Sequence, residues 1–163
     1  MTKMAMPLPE SLVAAIAGMP NSDGEWDSAF ELLTVDEDGF PHVCLLSRAE
    51  CKVVGEYLCL VVRSTTTNRN LVAKRKAGFV ATDGAGATYV KLRVGIVVEG
   101  TDENAKAFAL ECVWQKRDEM PEVPMRPLEF WASARVREVE QWDASLDLLE
   151  TLEYELVGEG RSG

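Results

Sequence analysis

The residues best suited to bind a ligand lie between positions 62 and 76, where an apolar β-prone run meets a segment of helical character. Four consecutive hydroxyl residues, Ser64 to Thr67, stand at this junction, and Ser and Thr are preferred helix caps. A helix start offers free backbone N–H groups and the positive end of the helix dipole, which together favour an anion. Arg63 and Arg69 flank the hydroxyls, and guanidinium groups bind phosphate oxygens in a bidentate way. This stretch therefore predicts a phosphate-binding turn.

The charge distribution favours a small anionic ligand at this turn. The chain carries a net charge of −10, yet residues 57–98 contain seven basic residues and one acidic residue. Nucleic acid is not an expected partner, because phosphate contacts along a polyanion require an excess of Lys and Arg. An alternative interpretation stays open at this point, since Ser, Thr and Asn clusters also cap helices that bind only water.

Length and composition are typical of one globular domain, which we expect to span residues 1–163. Within it we expect an N-terminal helix and loop at 1–28, a barrel with helices at 29–142, and an acidic helix and tail at 143–163. No apolar run is long enough to cross a membrane, and the first residues lack a secretory pattern, so we expect a cytoplasmic protein. A single histidine and the lack of a Cys-x-x-Cys pair argue against a metal site.

Alternating apolar residues and turn signals predict the elements that position the phosphate-binding turn. The expected helices are 8–18, about 66–76, 101–116 and 144–156, the last with its leucines on one face. The expected strands are 29–35 and 41–47 around an Asp-Gly turn, 51–62, 78–82, 87–98 and 133–140. In the strand 87–98, Tyr89, Lys91 and Arg93 share one face by the period of two. This order predicts an α+β fold with a mainly antiparallel sheet or barrel.

Several of these segments, taken together, resemble a known family. They are Leu33-Thr34-Val35-Asp36, Pro41-His42-Val43, Ser64-x-x-Thr67-x-x-Asn70-Leu71, Phe79–Ala81 and Tyr89-Val90-Lys91-Leu92. In order and spacing they resemble the FMN-binding split barrels related to pyridoxamine 5′-phosphate oxidase. The resemblance covers roughly residues 29–100 and, less clearly, 133–142, and it implies a split β-barrel of six or seven strands with flanking helices.

The resemblance also implies a homodimer with FMN in a groove between the two protomers. It places the FMN phosphate at the turn formed by Arg63, Ser64, Thr66, Thr67 and Asn70, with Arg69 as a further candidate. Lys91 would reach the phosphate or the ribityl chain from a neighbouring strand. The strand that contains His42, Val43 and Leu45 would run beside the flavin ring.

The chain departs from the oxidase itself in three places. His42-Val-Cys-Leu-Leu-Ser47 replaces an Arg-x-x-x-x-Lys strand, Asn68-Arg69 replaces a basic pair, and the C-terminal Arg-x-His pattern is absent. Vitamin B6 oxidase activity is therefore not expected. The lack of a Lys near Thr67 favours FMN over a deazaflavin as cofactor. The sequence predicts a flavin-dependent oxidoreductase of unknown substrate. The alternatives are a non-catalytic module that binds FMN, a deazaflavin or another phosphate-bearing ligand, and a purely structural dimer.

Overall fold

A curled antiparallel sheet forms the centre of the protein. The computed structural model describes the backbone of residues 4–161 and the side chains of residues 4–158. The strands are β1 (Asp23–Ser28), β2 (Phe30–Val35), β3 (Pro41–Leu46), β4 (Cys51–Val54), β5 (Tyr57–Val62), β6 (Lys76–Thr82), β7 (Gly86–Glu99), β8 (Lys106–Glu119) and β9 (Glu129–Ser133). The helices are α1 (Glu10–Ile16), α2 (Thr65–Lys74), α3 (Ala134–Val139) and α4 (Trp142–Arg161), with one short 3-10 helix at Arg48–Glu50.

Seven strands make a half-barrel in the order β3-β2-β6-β7-β8-β5-β4, and β1 pairs with β9 in a separate ribbon. One face of the half-barrel, here called the inner face, carries buried residues such as Leu32, Phe79 and Val90. Helices α1 and α2 cover this face through Leu12 and Leu71, which are both fully buried in the same apolar cluster. The predicted α+β fold, a mainly antiparallel split barrel with flanking helices, is confirmed.

The hairpin of β2 and β3 forms where the Asp-Gly turn predicted it. Asp36 Oδ1 accepts hydrogen bonds from the backbone N–H groups of Asp38 and Phe40, each at 2.9 Å. Gly39 has a φ of 86°, a conformation that glycine adopts without steric cost. The register of β2 against β3 follows from this turn and pairs Leu33 with Val43.

The predicted helix over residues 101–116 is wrong, because this segment is strand β8 from residue 106 onward. Ala107, Phe108, Ala109 and Leu110 are all fully buried, because both faces of β8 are covered at this point. A strand that is buried on both faces has no alternation of apolar and polar residues, so its pattern does not reveal the period of two.

The predicted last strand at 133–140 is also wrong. The strand β9 ends at Ser133, and Ser133 Oγ then accepts a hydrogen bond from the Val136 N–H at 3.3 Å, which caps helix α3. The loop expected before Asp27 contains strand β1 instead, in which Trp26 pairs with Trp131. That pairing joins segments about a hundred residues apart, so no local sequence pattern predicts it.

The acidic C-terminal helix is longer than predicted, since α4 begins at Trp142. Its buried face, Leu148, Leu149 and Leu152, packs on the outer side of β5 and β8 in one apolar cluster with Cys59 and Ala107. The leucine face of this helix therefore packs on the sheet of its own chain. Between residues 4 and 161, no helix combines the length and the apolar composition that a bilayer span requires.

Arg75 joins α2 to β6 in an unusual conformation. Its φ of 57° and ψ of 28° are left-handed, and its N–H donates to the Leu71 carbonyl as the helix ends. Its guanidinium donates to the carbonyls of Val94 and Gly95 on β7, and its own carbonyl accepts from the Val94 N–H at 3.0 Å. Backbone and side chain together connect the start of β6 to β7.

Candidate functional site

The start of α2 has the geometry that the hydroxyl cluster predicts. Ser64 is the cap, because its Oγ accepts from the Thr67 N–H at 3.2 Å and its carbonyl accepts from the Asn68 N–H at 2.9 Å. The first N–H groups of the helix, those of Thr65 and Thr66, then have no partner within the helix. Thr66 is half-buried and Arg69 is exposed on the following turn. Thr65 and Arg69 are thus the exposed residues of this helix start, with Thr66 half-buried between them.

Arg63 lies toward the interior and contacts α4. Its Nη1 donates to Ser145 Oγ, while its Nε is buried with no hydrogen-bond partner. Its positive charge also favours the ionised form of nearby Glu50, whose pKa is nevertheless raised because burial dominates. Ser47 donates to the Glu50 carboxylate from its N–H and its hydroxyl, which opposes that rise. Arg63 therefore has a structural role already, with one donor still unpaired.

Thr67 and Asn70 are buried on the inner side of the half-barrel. Asn70 is 3% exposed, and its Nδ2 donates to Thr34 Oγ1 at 3.0 Å. Thr67 is fully buried, and its side chain interacts with the Cys44 thiol on β3. Asn68, which the resemblance aligned with a basic residue, donates from its amide to the carbonyls of Val62 and Asn104. The amides at this turn thus fix α2 to the sheet.

A second set of polar residues lies on the outer face of the half-barrel, opposite the core. The strand register aligns them in two rows across β6, β7 and β8. One row pairs Gly78 with Lys91 and Lys91 with Trp114. The next row pairs Lys76 with Arg93 and Arg93 with Glu111. Lys76 and Arg93 are directly opposed like charges, and the ion pair of Arg93 with Glu111 offsets part of their repulsion.

The β6 and β7 members of these rows line a groove of about 780 Å³, a volume within the usual range for small-molecule sites. Lys74 from the end of α2 joins Lys76, Lys91 and Arg93 along it, and Leu33 and Val35 of β2 form the apolar side. Among the described residues that line the groove, none is acidic. Glu111, just outside it, pairs with Arg93 at 2.8 Å. The groove is a positively charged site in an acidic protein.

Aromatic rings border Lys91 within this groove. The Lys91 Nζ lies 4.6 Å from the centroid of the Trp114 ring, which is a cation–π contact. The Tyr89 and Trp114 rings meet edge to face, with their centroids 5.3 Å apart. A Cβ at Gly78 would lie 2.9 Å from Tyr89 Cε2, so the Tyr89 ring occupies the space above this glycine.

The strand β3 presents its residues to both faces. Val43 pairs with Leu33 and Leu45 pairs with Glu31, so both lie on the outer face, where they are 52% and 56% exposed. His42 pairs with Thr34, which belongs to the inner face, and is half-buried. Of the predicted site residues, Val43, Leu45 and Lys91 thus share the outer face.

The predicted site residues fall into two groups on one protomer. The residues Arg63, Ser64, Thr66, Thr67, Arg69 and Asn70 lie at or near the start of α2, and Val43, Leu45 and Lys91 lie on the outer face. His42 belongs to neither group, because it pairs with Thr34 on the inner face. The prediction that Tyr89, Lys91 and Arg93 share a face is correct, because all three line the groove. Sequence reasoning missed Lys74 and Lys76 in the acid-free stretch, and it missed Trp114, which lies in the segment predicted as a helix.

Comparisons with known proteins give a likeness in fold alone. No protein-family model matches the chain, and no curated protein matches it. Among solved structures, the styrene monooxygenase flavin reductase from Pseudomonas putida S12 is similar with a TM-score of 0.50 and 10% identity, over 65% of this chain and 90% of that one. An F420 reductase matches with a TM-score of 0.46 and 16% identity, over 55% of this chain and 89% of that one. Nitrilotriacetate monooxygenase component B from Mycobacterium thermoresistibile matches with a TM-score of 0.49 and 12% identity, over 67% of this chain and 78% of that one.

Proposed function

We propose that this chain is a flavin-binding oxidoreductase whose cofactor lies in the outer-face groove. The observation that carries this proposal is the concentration of Lys74, Lys76, Lys91 and Arg93 around one groove in a protein of net charge −10. The fold likeness to a flavin reductase supports it as an analogy. FMN is the proposed cofactor, with a deazaflavin as the alternative, and a bound flavin would supply hydride or electron transfer.

The donors on this chain fit the phosphate of such a cofactor. The groove offers the Lys91 ammonium, and the start of α2 offers the N–H groups of Thr65 and Thr66, the Thr66 hydroxyl and the Arg69 guanidinium. We propose that Ser64, Thr66 and Arg69 contact the phosphate directly, whereas Arg63, Thr67 and Asn70 hold the turn in place. The buried Arg63 Nε, which has no hydrogen-bond partner, is consistent with a polar ligand or water at this turn.

A homodimer would bring the two groups of site residues together. Val35, Val43 and Leu45 form an exposed apolar patch beside the groove, with 46%, 52% and 56% of their surfaces accessible. We propose that a second copy of this chain covers the patch, so that the groove of one protomer faces the helix start of its partner. Light scattering after size exclusion should give twice the chain mass. Leu45→Glu should yield monomers, and Tyr154→Glu on the exposed side of α4 should not.

Titration with FMN, followed by the quenching of flavin and tryptophan fluorescence, tests the cofactor proposal. We expect FMN to bind more tightly than riboflavin, which lacks the phosphate. Lys91→Ala should weaken FMN binding by about 10- to 100-fold, because a hydrogen bond to a charged group contributes about 1.5–3 kcal/mol. Lys116→Ala is the matched control, since Lys116 is on the same strand face as Trp114 but pairs with Asp118 outside the groove. Equal affinities for FMN in all three proteins would refute the assignment.

Two further arms of this titration separate the alternatives. If the helix start holds the phosphate, the double substitution Thr66→Val and Arg69→Ala should weaken the binding of FMN and leave the affinity for riboflavin unchanged. Replacing FMN with a deazaflavin identifies the preferred ring. Oxidation of NADH or NADPH by the FMN-loaded protein would establish catalysis. Tight binding without any turnover would favour the non-catalytic module, which the lack of acidic residues among the described lining residues also allows.

A further inference from the structure

We propose that Trp114 is a positioning residue that holds the Lys91 ammonium at the groove for the anionic group of the ligand, an inference that rests on the proposed function. Lys91 is exposed, and a free lysine side chain samples many rotamers. The Trp114 ring limits this freedom, because Nζ lies 4.6 Å from the ring centroid. A charge held in place before binding loses less entropy when the ligand arrives.

The strand register explains why Lys91 leans toward Trp114. Lys91 pairs with Gly78 on β6 and with Trp114 on β8, so it has no side chain beside it on one flank and an indole on the other. The empty space above Gly78 is taken by Tyr89, whose Cε2 and Oη lie 2.9 and 3.1 Å from an ideal Cβ there. Tyr89 also contacts Trp114 edge to face. The Tyr89 ring therefore fills the flank over Gly78, and the Lys91 ammonium lies over the Trp114 ring on the other flank.

The Glu111 carboxylate, on the adjoining row, is engaged by a different cation from Lys91. Glu111 is one row along and is engaged by the guanidinium of Arg93, with Nε and Nη2 at 3.2 and 2.8 Å from Oε2. A cation–π contact leaves the ammonium hydrogens available, whereas a carboxylate would accept them. Trp114 thus positions the charge while Lys91 keeps its donors for an external acceptor.

The test compares Trp114→Leu with Trp114→Phe, since phenylalanine keeps an aromatic face and leucine does not. We expect Trp114→Leu to weaken FMN binding by about three- to tenfold. Trp114→Phe should keep most of the parent's affinity for FMN. Riboflavin affinity should stay the same in both variants, because it lacks the phosphate. In a Lys91→Met background, Trp114→Leu should have no further effect on FMN. If Trp114→Leu weakens riboflavin and FMN equally, Trp114 only supports the fold and the inference is wrong.

A readout without flavin separates this inference from the proposed function. The side-chain resonances of Lys91 in isotopically labelled protein should show an upfield ring-current shift that Trp114→Leu removes. Inorganic phosphate should move these resonances at lower concentration in the parent than in Trp114→Leu. If both the ring-current shift and the phosphate effect are observed but no flavin binds, the proposed function fails and the positioning role of Trp114 stands. If FMN binds equally to parent and Trp114→Leu, or if Lys91 shows no such shift, the positioning role fails.

Discussion

The hydrogen bond between Asn70 and Thr34 offers a direct test of how the start of α2 is held. Both residues are 3% exposed, and the Nδ2 to Oγ1 distance is 3.0 Å. Thr34→Val keeps the shape of the side chain but removes the acceptor, which leaves one amide N–H of Asn70 buried and unpaired. Such a group costs about 1–3 kcal/mol. In a chain of this length each kcal/mol lowers Tm by about 2–4 °C, so we expect a fall of about 2–12 °C.

Thermal and urea denaturation followed by circular dichroism measure this change. Thr66→Val is the matched control, because its hydroxyl is half-buried on the same helix and makes no described hydrogen bond; we expect a change within about 0.5 kcal/mol. Adding Asn70→Leu to Thr34→Val should recover part of the stability, since it removes the unpaired donor. If Thr34→Val is as stable as the parent, the Asn70 amide has another acceptor. Asn70 would then again be a candidate for direct contact with the phosphate.

Three further predictions concern other parts of the chain. The hydrogen bond from Arg117 holds the pKa of Asp83 near 2, below its ordinary 3.8, so this pair stabilises the fold above pH 4 and the contribution is lost as pH falls toward 2. Because Asp83 is 37% exposed, we expect Asp83→Asn to cost only about 1 kcal/mol at neutral pH and almost nothing at pH 2, as measured by urea titrations at both. Gly78→Ala should displace the Tyr89 ring and weaken FMN binding, which near-UV circular dichroism and the FMN titration report together. Leu152→Ala, at a fully buried position of α4, should lower the free energy of unfolding by about 2–5 kcal/mol in urea denaturation.

Each of these has an outcome that contradicts it. A pH-independent effect of Asp83→Asn would mean that the carboxylate does not gain from Arg117. An unchanged Tyr89 environment in Gly78→Ala would mean that the ring does not lie over the glycine. A Leu152→Ala loss no larger than that of exposed Tyr154→Ala would mean that α4 does not pack on the sheet.

Local sequence patterns correctly predicted the strands that have one face in the core and the other face exposed. Strand β7 alternates between the core and the groove, and this is why Lys91 was placed on the correct face from its spacing alone. Strand β8 meets the core through Phe108 and α4 through Ala107, and its apolar run therefore fits a helix as well as a strand. Trp114 was missed for the same reason. Its position beside Lys91 follows from the pairing of β7 with β8, and a helix over residues 101–116 does not predict that pairing.

The cap at the start of α2 was predicted from the sequence, whereas anion binding at this turn stays a prediction. The hydroxyls at the start of α2 and the acid-free middle of the chain both indicated an anion, and Ser64 caps the helix as expected. Which side chains turn inward depends on long-range partners, such as Thr34 for Asn70 and Ser145 for Arg63. These partners lie 36 and 82 residues away in sequence, beyond the reach of any spacing rule.

The left-handed residue between α2 and β6 has a consequence for the charges of the groove. Side chains on a strand change face with every step, so a shift of β6 against β7 by one position would align Lys91 with a core residue instead of Gly78. The contacts of Arg75 with Val94 and Gly95 oppose that shift at the end of the hairpin remote from its turn. A residue outside the groove thereby helps to fix which cations face outward, and a change of sequence there would alter the charge pattern of the groove without altering any residue that lines it.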